Sequence, residues 1–196
     1  IMGGTATATG QWLPEGTYSW NAEIDVPQTD PAAAKALLAE AGYPDGFRLT
    51  IHVPNDRYPN APAVVQAIAQ MWSRIGVATR VEALPWTTFS SRKKDVAIKL
   101  LGLGNATYDA SSMLVNVIGT DDPERGLGAS NDSGYSNADL DALVARAQSL
   151  TDENAREAAL KEAVTVALDD TAIIPLYLQS NAWVMRKGIS YEPRID

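Results

Sequence analysis

The sequence contains no cysteine and a single histidine, and both shortages narrow the chemistry available to it. Without cysteine there are no disulfides, no thiolate nucleophile and no thiolate metal site. The compartment stays open, since a chain without cysteine can work anywhere. Sites built from several histidines are excluded outright. His52 lies in an alternating run, Phe47–Val53, that reads as a strand. The ordinary fate of such a histidine is a satisfied or exposed strand position, not a Ser-His-Asp triad. Positive charge is also scarce: 16 Lys+Arg stand against 24 Asp+Glu, giving a net charge of −8. The longest basic run is Arg92-Lys93-Lys94, far short of a nucleic-acid-binding face, so no nucleic-acid partner is expected. Long apolar runs are missing too, and nothing approaches the roughly 20 residues of a membrane span. Ile1 opens no basic, apolar, small-residue leader, so any signal peptide is expected to be missing or removed.

What is present is an ordinary globular composition, 45% hydrophobic and 20% charged over 196 residues. Residues 1–29 carry no sustained period and read as an irregular arm. Trp12, Tyr18 and Trp20 within it are costly to leave in water, so the arm is expected to pack along a surface. Helix signals then begin. Asp30 can cap and Pro31 can open a helix to Ala41, with Leu37, Leu38 and Ala41 as its apolar stripe and Gly42 beyond it. Strands are predicted over Phe47–Val53 and Val77–Leu84, with a helix over Ala63–Ile75 between them. That unit requires parallel strands joined by a crossover. A short helix over Pro85–Lys93 and a third, nearly apolar strand over Val96–Leu103 follow.

Asp109 can cap a helix over Ala110–Val117, and Gly119–Tyr135 reads as a polar surface loop. Helices over Asn137–Leu150 and Asp152–Asp169 come next, the second supported by a Glu157→Lys161 pair. Ile173–Gln179 and Ala182–Met185 read as closing strands. The fold class is therefore α/β, a mostly parallel sheet flanked by helices. The expected division is an arm at 1–29, an α/β ligand-binding lobe at 30–172 and closing strands at 173–196.

Motifs for catalysis are thin. GxxxxGK[ST], HExxH and GxSxG are all absent, and Gly102-Leu103-Gly104 lacks the third glycine of a dinucleotide fingerprint at Thr107. Asp121-Asp122 reads as solvated loop acid, and Asp169-Asp170 as a helix-terminal acid. The second pair sits at the unfavourable end of a helix dipole, which points to a partner or cap. The best candidate site is the loop Leu103–Asp109. Ligands of parallel α/β sheets gather outside the carboxyl ends of strands, and this loop leaves such an end. It offers Asn105, Thr107, Tyr108 and backbone amides, and Trp86 beyond the neighbouring strand end is a candidate apolar wall.

Four strings carry a family likeness. Residues 30–47, DPAAAKALLAEAGYPDGF, resemble the "DPxKAKxLLxEAGYPDGF" signature of the peptide-type extracellular solute-binding proteins of ABC transporters. GLGNATYDASSML at 102–114 is similar to that family's "GWxxDYxDPxxFL". YSNADLDAL at 135–143 is similar to its "YSNPxxDxLL", and Ile174-Pro-Leu-Tyr177 to its "IPLY". The order and spacing match from about Gly10 to the end. The resemblance implies a type II periplasmic-binding-protein-like lobe of a two-lobed, periplasmic or otherwise extracytoplasmic binding protein. Such a protein closes on a small-molecule or peptide ligand and delivers it to ABC permease membrane subunits, as a monomer and without catalysis. It also implies that this chain is a C-terminal fragment, with its last strands running back towards an absent lobe.

Carried over residue by residue, the likeness implies ligand contacts at Trp86, Asn105, Ala106, Thr107, Tyr108 and Asp109. It also marks a departure. The family's tryptophan falls at Leu103, and the aspartate that pairs with a peptide's amino terminus falls at Ala106. Asn105, Thr107 and Tyr108 are left to read a neutral or anionic polar group. The family's ligands extend to glutathione, nickel complexes, haem, oligosaccharides and opines. With one histidine and no cysteine, no metal site and no cofactor are expected in this lobe. The alternative is a sensory, regulatory or enzymatic α/β domain built on the same fold.

Overall fold

A computed structural model describes residues 1–92, 96–105 and 107–192. The chain divides into two compact units, residues 1–2 with 27–104, and residues 3–26 with 105–196.

The first unit is one helix followed by a strand–helix–strand–helix–strand progression. Helix α1 (Pro31–Glu40) starts where the sequence says it should: Asp30 accepts from the amides of Ala32 and Ala33 at 3.0 and 2.9 Å. Gly42, at φ +88°, ends it in the left-handed conformation. Its expected apolar stripe is not buried. Leu37 is 64% exposed and no residue of α1 is fully covered within the described structure.

Strand β2 (Arg48–Pro54) pairs in parallel with β3 (Ala78–Leu84) along its whole length, Arg48 opposite Ala78 and Pro54 opposite Leu84. Helix α2 (Ala61–Ser73) is the crossover. It begins two residues earlier than the periodicity indicates, because Pro62 suits the first turn and Asn60 takes the left-handed φ of +55° that precedes it. Val65 and Ala69 of its predicted face are buried, with Ile68 and Trp72 packed beside Ile51 and Val53.

Helix α3 (Trp86–Arg92) matches the short helix expected there, whose last residue, Lys93, lies outside the described residues. The third strand is much shorter than predicted. Only Ile98–Lys99 (β4) pair, parallel to Ile51 and His52. The amide of Leu100 adds one bond to the His52 carbonyl at 2.9 Å, and the chain then leaves the sheet. Gly102 is already committed elsewhere: Tyr58 donates its hydroxyl to the Gly102 carbonyl at 3.1 Å and its ring fills the space a Cβ would need.

The second unit is helical around one apolar core. Helices α5 (Ala138–Ser149) and α6 (Glu153–Asp169) bring Leu140, Val144, Leu160 and Val164 together, all at most 1% exposed. The predicted helix over 110–117 begins as a single α turn, α4 (Ser111–Met113), and widens into a π turn at Leu114–Ile118. The amide of Gly119 reaches back five residues to the Leu114 carbonyl at 2.8 Å. The next carbonyls are met by the following loop, Val115 by the Gly128 amide and Asn116 by the Ser130 amide.

That loop, expected at the surface, is anchored inside. Leu127 joins the core, and buried Asn131 donates to the carbonyls of Gly119 and Tyr135 at 2.9 and 2.8 Å. Leu13 of the N-terminal arm is also core, with Trp12, Tyr18 and Trp20 packed against it. Strand β1 (Ala6–Ala8) pairs antiparallel with β5 (Tyr177–Gln179). The closing strands are correspondingly reduced. The paired residues run from Tyr177 to Gln179, and the Leu176 carbonyl accepts one further bond from the Thr9 amide at 3.3 Å. Ala182–Met185 forms no strand, and Val184 is fully exposed. No helix among the described residues is long and apolar enough to cross a membrane.

Candidate functional site

In the second unit, the loop after β4 is held by its own side chains. Asn105 Oδ1 accepts from the Thr107 amide at 3.3 Å, and the Thr107 hydroxyl donates to Asp109 Oδ1 at 2.8 Å. Asp109 is the hub. Its Oδ1 also accepts from the amide and hydroxyl of Ser111, and its Oδ2 accepts from Arg156 Nη2 at 2.7 Å. Burial alone would push the Asp109 carboxyl up. The hydrogen bonds from Ser111, Arg156 and Thr107 outweigh it and hold the group below the usual carboxylate range. Its bond to Asp109 in turn raises the Arg156 guanidinium above its ordinary value. Arg156 lies 5.3 Å from the centre of the Tyr18 ring, and Ser19 Oγ accepts from the Ala110 amide at 3.0 Å.

The N-cap position of α4 falls on Ala110, which makes no side-chain cap bond, and not on Asp109 as expected; Asp109 instead takes the Ser111 amide from one residue further out. Pinned between Thr107 and Asp109, Tyr108 adopts φ +55°, a left-handed conformation unusual for an aromatic residue, and is 44% exposed. Asn105 Nδ2 is buried with no hydrogen-bond partner. Ala106, named with them from the sequence, lies outside the described residues.

Trp86 belongs to the first unit. Its amide donates to Asp56 Oδ1 at 2.7 Å, which fixes the start of α3 beside the carboxyl end of β2. Its half-buried ring stacks on buried Phe89 (5.7 Å between centroids), meets Tyr58 edge-on and lies 4.4 Å below the Arg57 guanidinium. One side of the ring covers buried Phe89 and the rest is open. Asn105, Thr107 and Asp109 are directly bonded in one loop, while Trp86 sits in the other unit.

Arg156, 47 residues from Asp109 in sequence, has no local signal and was invisible to spacing arguments. Asp56, Arg57 and Tyr58 were readable. They follow the carboxyl end of β2, by the same rule that singled out the loop after β4.

The remaining chemical candidates resolve structurally. His52 Nε2 lies 3.3 Å from Glu82 Oε2, its partner in the β2–β3 register, and Glu82 also meets Arg92 at 3.4 Å. Asp122 accepts from the amides of Glu124 and Arg125 within a turn. Asp170 has the partners that its position demanded, Tyr135 and Asn137. No group of three or more metal-ligating side chains occurs among the described residues.

With this geometry established, likenesses to known proteins become informative. Residues 1–124 match the family described as bacterial extracellular solute-binding proteins, family 5, middle region. The chain is 29% identical over 181 residues to heme-binding protein A of Haemophilus influenzae, covering 90% of this chain and 32% of that protein. It is 25% identical over 194 residues to di/tripeptide-binding protein 1 of Pseudomonas aeruginosa, covering 96% and 35%. Among solved structures, a dipeptide-binding protein from Pseudoalteromonas sp. SM9913 in complex with Met-Leu shares the fold, with a TM-score of 0.80 at 24% identity over 91% of this chain and 36% of that one. The chain spans about a third of the length of the relatives it matches.

Proposed function

Since the chain belongs to the family 5 bacterial extracellular solute-binding proteins, we propose that it is part of the solute-binding component of an ABC importer. The family is made up of solute-binding proteins. The complete protein would hold a peptide or other small polar solute between two lobes, outside the cytoplasm, and pass it to the membrane permease. It would act as a monomer and catalyse nothing.

The observation that carries this reading is the Asn105–Asp109 loop. It follows β4 (Ile98–Lys99) after an unpaired stretch of chain and is stiffened by a buried carboxylate, while Tyr108 stays open. A preorganised loop loses little freedom when a ligand arrives. In this reading Asn105, Thr107 and Tyr108 touch the solute. Asp109, whose oxygens are already occupied, positions the loop. Ala106 adds no polar group.

Native mass spectrometry of the gently purified full-length protein tests the proposal. A co-purified small polar solute is expected. A protein that emerges empty and shows no thermal shift with peptides, sugars or opines would overturn it.

A further inference from the structure

Ser19 and Tyr108 both hold left-handed backbone, at φ +67° and +55°, and the Ala110 amide links them. Ser19 is completely buried, and so is Ala110. The Ser19 hydroxyl donates to the Tyr18 carbonyl and turns a lone pair to the Ala110 amide, 3.0 Å away. Ala110 is the N-cap of α4, and its methyl group caps nothing. An amide at a helix start has no partner inside the helix, so this one is satisfied by a residue 91 positions earlier.

Glycine would hold the left-handed position at lower cost, so the hydroxyl is what serine adds there. The preceding residue strengthens the same grip. Tyr18 donates its hydroxyl to the Glu153 carbonyl of α6, and its ring centre lies 5.3 Å from the Arg156 guanidinium, which in turn holds Asp109. The arm therefore grips the two residues that follow Tyr108: Asp109 by way of Tyr18 and Arg156, and Ala110 directly from Ser19. On the other side, Thr107 is tied by its hydroxyl to Asp109. Tyr108 itself is 44% exposed, so these flanking bonds fix it, not burial.

Resting on the solute-binding reading of Tyr108, we propose that Ser19 is a positioning residue for it. The buried hydroxyl fixes the start of α4 and sets the direction in which Tyr108 meets the solute. It contributes to affinity without touching the solute.

The test compares Ser19→Gly with Ser19→Ala in the full-length protein, because the pair separates stability from position. Both delete the hydroxyl, but only glycine takes the left-handed φ freely. Ser19→Gly is expected to keep a higher Tm than Ser19→Ala. Isothermal titration with Met-Leu, glutathione and sucrose is nevertheless expected to show both variants weakened about tenfold, the effect of one lost buried hydrogen bond. Affinity that follows Tm, with Ser19→Gly binding like the parent, overturns the inference. Hydrogen exchange supplies a readout that needs no ligand. Amides over 108–112 are expected to exchange about tenfold faster in both variants, with α5 unchanged in Ser19→Gly. Unchanged protection over 108–112 also overturns the inference. A parent protein that binds none of the three probes overturns the solute-binding reading itself and removes the inference with it.

Discussion

Arg156 Nη2 lies 2.7 Å from Asp109 Oδ2, joining α6 to the start of α4 within the second unit. The two side chains are 31% and 9% exposed, so the pair is better shielded than a surface salt bridge. Removing the cation strands a covered carboxylate. Arg156→Ala is expected to cost about 1–3 kcal/mol, lowering the denaturation midpoint with little change in slope. Arg156→Lys keeps the charge but loses the planar fork, and is expected to recover only part of the loss. A midpoint indistinguishable from the parent for Arg156→Ala would show that the pair stabilises nothing.

The same carboxylate sets an acid limit. Asp109 is held below its ordinary range in the folded protein and reverts to it on unfolding. Its contribution is complete above the unfolded value and is lost as pH falls through the folded one. Stability should therefore decline as pH drops below about 4, and the decline should flatten in Asp109→Asn. Denaturant titrations from pH 6 to pH 2.5 on both proteins check this. Parallel pH profiles would contradict it.

The opposite limit belongs to Tyr135. Burial and the hydrogen bond to Asp170, 2.7 Å long, push its hydroxyl up to about 12. A phenol raised in the folded state adds stability below its unfolded value near 10 and loses it as pH climbs through the folded one. Absorbance at 295 nm should show a late step in the tyrosine titration that Tyr135→Phe removes. If the late step persists in that variant, Tyr177, which burial also raises, is its source.

The Tyr135–Asp170 bond also shows where sequence reading works and where it stops. The unfavourable acid at the end of α6 announced that a partner must exist, and the elements flanking it were legible from caps and periodicity. The partner was not, because Tyr135 and Asp170 are 35 residues apart and only the folded α5–α6 pair unites them. Arg156 and Asp109 repeat the lesson at 47 residues. Average polarity misled in two other places. VAIKLLGL reads as a full strand, yet Tyr58 claims Gly102 and pairing ends near Leu100. The loop 119–135 reads as solvated, yet Asn131 is buried because its amide satisfies two carbonyls at once. Composition reports average polarity. It cannot report that one polar side chain is saturated.

Gly46 and Gly76 give the sharpest backbone prediction. Both have positive φ, +76° and +95°, and they face each other between the turn before β2 and the turn before β3. A Cβ on Gly46 would lie 2.0 Å from the Gly76 carbonyl oxygen, a clash of backbone against an added methyl that no rotamer relieves. Gly42 is the natural control: its φ is +88°, but nothing lies within 4 Å of the same added atom. Gly42→Ala should cost only the left-handed penalty, about 1–2 kcal/mol. Gly46→Ala should cost that plus about 1–3 kcal/mol of steric strain, because the β2–β3 register must shift to admit the methyl. Thermal or urea denaturation of the two variants measures the difference. Equal losses would mean that the two turns part without cost and that their contact does not hold the sheet in register.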